Sequence, residues 1–204
     1  YMLYGCGANL TGLAGFSPDD QGNLYAGTGA GAASDADTCF NIALGDCAGK
    51  ALNSGDQNVI FGREAGYLIN SGANNIVMGC KAATSMTSAS GNIAFGECAM
   101  GGATATGNNN IVMGQTAGKA LTSGSQNVFL GRYAGQLNTT LDGNVYIGDH
   151  AGKLNVAANN VAIGNGAGGK LTGAADNVYL GYNTGEGLFS GTRTGSQNVA
   201  LGKY

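Results

Sequence analysis

An Asn followed by an apolar residue, with a Gly four positions after the Asn, recurs eleven times along the chain, at Asn23, Asn41, Asn58, Asn75, Asn92, Asn110, Asn127, Asn144, Asn160, Asn177 and Asn198. The intervals are 18, 17, 17, 17, 18, 17, 17, 16, 17 and 21 residues. So regular a period means one small structural unit stacked on itself, because such a unit cannot bury its apolar face alone. Stacking generates long repetitive faces rather than one deep pocket, which favours a stalk, fibre or adhesive surface over a reaction centre.

The unit from Asn110 to Gln126 shows the design. Its opening residues, Ile111-Val112-Met113, have strand composition and are bounded by Gly114. Gly114 and Gly118 bracket a bend, a second extended piece is expected through Lys119 to Thr122, and Ser123-Gly124 supplies the turn to Asn127. Glycines at this density exclude a helix, since each costs about 1 kcal/mol in a helix interior. Strand, turn, strand, turn with every coil alike predicts an all-β parallel β-solenoid, a β-roll of about eleven coils of about 17 residues. At about 4.8 Å per coil the rod is on the order of 50 Å long.

Column by column, the residue after Asn is always Leu, Ile or Val. The residue two further on is again apolar, as in Leu44, Phe61, Met78, Phe95, Met113 and Leu130, with Ala26 the small exception. Period-two geometry puts these two columns, Ile111 included, on one face, here assigned to the coil interior. An Ala column (Ala48, Ala65, Ala82, Ala99, Ala117, Ala134, Ala151, Ala167) fits an inward bend, and Leu52, Leu121 and Leu171 are expected to close the core. The column between the two is then expected to face outward. It contains Tyr25, Ile60, Val77, Val112, Phe129, Tyr146 and Tyr179, with Ala elsewhere, and carries no charge. An apolar stripe along a rod marks a contact between chains; a flattened roll would instead bury it under the coil's own second strand. The Asn column, from Asn41, Asn58, Asn75, Asn92 and Asn110 to Asn127, Asn144, Asn160 and Asn177, is read as a ladder of stacked amides or as a set of corner residues tolerating unusual backbone.

Charge is sparse, 10% of residues with a net charge of −3, and the nine Lys and Arg form no basic stripe, so nucleic acid is an improbable partner. Opposite charges alternate between adjacent coils: Asp46 with Arg63, Glu64 with Lys81, Arg132 with Asp149. No apolar run reaches the roughly 18–20 residues of a membrane span. Cysteine spacing suggests neither a metal site nor a disulfide framework; Cys47 and Cys98 lie three coils apart, about 14 Å, beyond disulfide reach. The lone His150 sits in a variable turn column and reads as an exposed histidine. Gly27 to Gly31 and Gly164 to Gly168 are only loose relatives of dinucleotide loops, without the βαβ context. No catalytic group, metal or cofactor is expected.

Residues 1–22 lack the repeat and hold the sole proline, Pro18; they read as a lead-in to a solenoid spanning 23–204. The start at Tyr1 rather than Met reads as processing or truncation, and the stop at Lys203-Tyr204 falls inside a coil. The long unit from Asn177 places an insertion around Thr192-Arg193-Thr194, a candidate protruding loop.

The run Asn41-Ile42-Ala43-Leu44-Gly45-Asp46-Cys47-Ala48-Gly49 resembles the head repeats of trimeric autotransporter adhesins, though with longer coils. The longer run from Ala117 to Asn127, Ala-Gly-x-x-Leu-Thr-Ser-Gly-x-x-Asn, is similar to repeat-rich tail-fibre and structural proteins of bacteriophages. The resemblance covers residues 23–204 and implies a left-handed roll, a homotrimer, a place on a virion or outside a cell, and attachment to a receptor or glycan. A filament built by end-to-end stacking is a further expectation from the repeat.

Overall fold

The computed structural model describes residues 18–155, 157–169, 175–185 and 195–203. It is a parallel β-solenoid with one strand per coil: β1 (Leu24–Ala26), β2 (Ile42–Leu44), β3 (Val59–Phe61), β4 (Ile76–Met78), β5 (Ile93–Phe95), β6 (Ile111–Met113), β7 (Val128–Leu130), β8 (Val145–Ile147), β9 (Val161–Ile163), β10 (Val178–Leu180) and β11 (Val199–Leu201). The strands form a single eleven-stranded sheet in strict sequence order. Every pairing is parallel and in register, so that Ile60 lies beside Val77 and Val112 beside Phe129.

The expected second strand is absent among the described residues. The rest of each coil is turn, in which backbone groups still bond to the next coil, as in Gly118 N to Ala134 O and Ala120 N to Gln136 O. Left-handed backbone at Thr116 (φ 54°) and Gly118 (φ 53°) curls the chain too tightly for a ladder. The Gly that closes each strand is required for a separate reason. At Gly62 φ is +124°, and an added Cβ would lie 2.7 Å from the carbonyl oxygen of Gly79 one coil on.

On the strands the interior is the reverse of the expected one, whereas the Ala column, Leu52 and Leu121 lie in the core as expected. Ala43, Ile60, Val77, Ala94, Val112, Phe129, Tyr146, Ala162 and Tyr179 are buried and form the core with the Ala column and Leu52, Ile69, Met86 and Leu121. Leu171 lies outside the described residues. The stripe Tyr25, Ile60, Val77, Val112, Phe129, Tyr146 and Tyr179 is therefore no surface; it fills the roll, with Tyr25 packed at the core's edge. Parity explains the inversion. Asn58 points inward, so Val59 points out, Ile60 in and Phe61 out.

Core size is balanced between this column and the one facing it. Phe129 and Tyr146 stack with ring centroids 5.1 Å apart, and opposite them the place held by Leu52 and Leu121 in other coils holds the smaller Asn138 and Asn155. The Tyr146 hydroxyl donates to Asn144 Oδ1 at 2.8 Å. Burial pushes this phenol well above its ordinary pKa, so it remains a neutral donor.

Candidate functional site

The Asn column is a continuous ladder. Asn110 illustrates one rung: its backbone N and its Nδ2 both donate to Asn92 Oδ1, at 2.9 and 3.0 Å. Nδ2 donates again to Gly124 O at 2.9 Å, and Oδ1 accepts from Asn127 N and Nδ2, both at 3.0 Å. The same arrangement links Asn41, Asn58 and Asn75 below. Above, Asn144, Asn160 and Asn177 continue it through their backbone N–H groups, each donating to the preceding Oδ1. The corner role belongs to the preceding residue: Gln57, Asn74, Asn109 and Gln126 have φ between 57° and 60°. Amide and backbone thus lock each coil to the next in one register.

Asp19 starts the ladder. Its Oδ1 accepts from Asn23 N at 2.7 Å and its Oδ2 from Asn23 Nδ2 at 3.1 Å, the two donors that a preceding Asn would satisfy. Gln21 O also accepts from Phe40 N. The end of the lead-in is thereby tied to the solenoid, a role that composition did not announce.

With the middle column inside, the columns on either side of it form the outer face of the sheet. Their residues are apolar on every strand: Ile, Val or Leu in the first, and Leu, Met, Phe or Ile in the third save Ala26. Exposure reaches 40% at Ile76, 47% at Phe95 and 39% at Met113. Polar residues border much of this face along the chain, Gln57, Asn74, Asn109 and Gln126 before β3, β4, β6 and β7 and Asp46, Arg63, Glu97, Gln115 and Arg132 after β2, β3, β5, β6 and β7, while the exposed Phe40 stands at the same position before β2. An apolar strip with a polar rim has the anatomy of a protein interface.

The charged turn follows the expected pairing in part. Arg132 holds Asp149 by two bonds, Nε to Oδ1 at 3.1 Å and Nη2 to Oδ2 at 3.0 Å, and this hydrogen bonding lowers the Asp149 carboxyl below its usual pKa. Lys81 reaches Glu64 at 3.7 Å. Arg63 differs, pairing with Glu64 at 3.2 Å and with Cys80 Sγ at 3.4 Å instead of Asp46. His150 is not partnerless: Nδ1 lies 3.0 Å from Asp149 Oδ2, and the ring tilts against Tyr133. Cys39, Cys47, Cys80 and Cys98 are free thiols. The candidate loop Thr192-Arg193-Thr194 lies outside the described residues.

Among the described residues no group of three metal-ligating side chains gathers, and no helix is long and apolar enough to cross a membrane. No protein-family model, curated protein or solved structure matches the chain.

Proposed function

We propose that the chain is a structural fibre segment, of the kind that phage tail fibres use, whose repetitive surface takes part in attachment to a host cell. The observation that carries this reading is the outer sheet face, apolar on every one of the eleven strands. Eleven three-residue strands give a face about 50 Å long and 10 Å wide. A trimer with three such faces turned to a common axis covers on the order of 1,500 Å², within the usual range for a specific interface. The pitch supports copies of the same chain as partners, because only a surface with the same rung spacing matches every strand.

Side-by-side association is favoured over end-to-end stacking by Asp19. Its carboxylate already satisfies the two donors of Asn23 that an incoming coil would need, so a subunit added there must first displace it. A cell-surface adhesin head would make the same use of this architecture. Electron microscopy with antibodies against the chain separates the two. Label on virion-borne fibres, with adsorption blocked by the antibody, is the expected result. Label on the producing cell's own surface would transfer the reading to an adhesin, and antibody that leaves attachment untouched would refute it.

A further inference from the structure

The turn surface of the rod carries two columns of outward side chains. In successive coils one reads Glu64, Lys81, Cys98, Thr116, Tyr133, His150, Gly166, Asn183, and the other Tyr67, Thr84, Gly101, Lys119, Gln136, Lys153, Gly169. Only the coil of Gly166 and Gly169 has glycine in both columns among the described residues. Two missing side chains on one rung leave a notch of about 430 Å³ between the coils on either side. That volume lies within the roughly 300–1,000 Å³ of small-ligand sites.

We infer that this notch binds a carboxylate-bearing sugar residue, with Lys153 taking the carboxylate and the amides of Asn165 and Asn183 taking hydroxyls. The lining supplies each element of that recognition. Lys153 forms no ion pair among the described residues, and its Nζ sits 5.2 Å from the centre of the Tyr133 ring, which holds the charge in place. Among the described residues the one carboxylate beside the notch, Asp149, is already occupied by Arg132 and His150. The balance among the described residues therefore favours an anion. The side-chain amides of Asn165 and Asn183 make no hydrogen bond to a described residue, and each offers a carbonyl acceptor and two N–H donors. Asn183 Oδ1 lies over Gly166, where a Cβ would displace it. Leu154 adds an apolar wall for the C–H face of a ring. A second gap beside Gly102 has only Lys119 and Gln136 as long polar neighbours and lacks this convergence.

The ligand's biological meaning rests on the attachment reading above; its chemistry does not. The test is a two-dimensional NMR titration of the whole chain with glucuronate, with a glucuronate-containing oligosaccharide and with glucose. Saturable shifts confined to Gly166, Gly169, Asn183 and their neighbours are expected, with a Kd on the order of 1–10 mM for the single sugar acid. Glucose should bind at least about tenfold more weakly, as should glucuronate to Lys153→Ala, the loss of about 1.4 kcal/mol. Gly169→Gln should abolish binding. Its backbone is not left-handed, a Cβ there meets Gly166 O at 3.1 Å, and Gln136 occupies the same column. Lys119→Ala, on another coil, should bind as wild type. Tighter binding of the oligosaccharide at the same residues identifies a polymer-borne ligand; equal binding identifies the free acid. Absence of saturable shifts, equal response to glucose, or binding unchanged by both Lys153→Ala and Gly169→Gln overturns the inference. Should Gly169→Gln disturb distant resonances, Lys153→Ala decides. Host adsorption lost to antibody while the titration fails would remove the notch and leave the attachment reading intact, and the converse holds.

Discussion

Replacing Asn110 with Ala removes one rung from the amide ladder and tests whether that ladder, rather than corner geometry, explains the repeated Asn. Asn110 is fully buried and its side chain takes part in four hydrogen bonds, two through Nδ2 and two through Oδ1. Alanine leaves the backbone bond from residue 110 to Asn92 Oδ1 intact. Asn127 Nδ2 also keeps Leu141 O as a partner. Two groups lose theirs: the N–H of Asn127 and the carbonyl of Gly124. Each buried orphan costs about 1–3 kcal/mol, so the expected loss is about 2–6 kcal/mol. Urea unfolding followed by circular dichroism measures it. A lower midpoint at constant slope reports destabilisation of one cooperative unit, and a reduced slope reports a rod uncoupled at that coil. The control is Gln126→Ala, an exposed corner residue whose backbone bond to Asn108 survives; a change within about 0.5 kcal/mol is expected. If Asn110→Ala unfolds like the wild type, or Gln126→Ala costs as much, the ladder is not what fixes the register.

Further outcomes follow from the packing and from the charged turn. Val112→Asp places a charge in the closed core and should unfold the rod or cost several kcal/mol in a thermal melt. Ile111→Asp, one residue away on the outer face and 36% exposed, should leave the fold of a single chain intact. Tyr146→Phe removes the bond to Asn144 Oδ1 and should cost about 1–2 kcal/mol by urea titration. The Asp149 carboxyl should titrate below its ordinary value of 3.8 when followed by carbon NMR, and Arg132→Ala should raise it. Because the folded value is the lower one, this contribution is present above the ordinary pKa. It is lost as pH falls through the folded value, and exposure keeps it small.

The period, the parallel stacking and each strand's position were legible, since an Asn with a Gly four residues on brackets every strand from Ile42–Leu44 to Val199–Leu201. Orientation was not. All three residues of Val59-Ile60-Phe61 are apolar, so the hydrophobic pattern has no phase. The phase was present in Asn58, which shares parity with Ile60, but a buried amide is paid for only by the neighbouring coils. The signal that could have been read is size: the middle column ranges from Ala43 to Tyr146, a variation that an enclosed core must compensate elsewhere. The missing second strand had the same origin. Lys119 to Thr122 looks extended by composition, while left-handed Thr116 and Gly118 keep it in the turn. The notch was hidden because Gly166 and Gly169 look like the turn glycines around them.

The mass of the chain in solution, by light scattering on wild type and on an Ile111→Asp, Met113→Asp double variant, tests the outer face most directly. The account predicts three chains for the wild type and a single folded chain, with an unchanged circular dichroism spectrum, for the variant. A wild type that stays a single chain at high concentration, or a variant that assembles equally well, would contradict it.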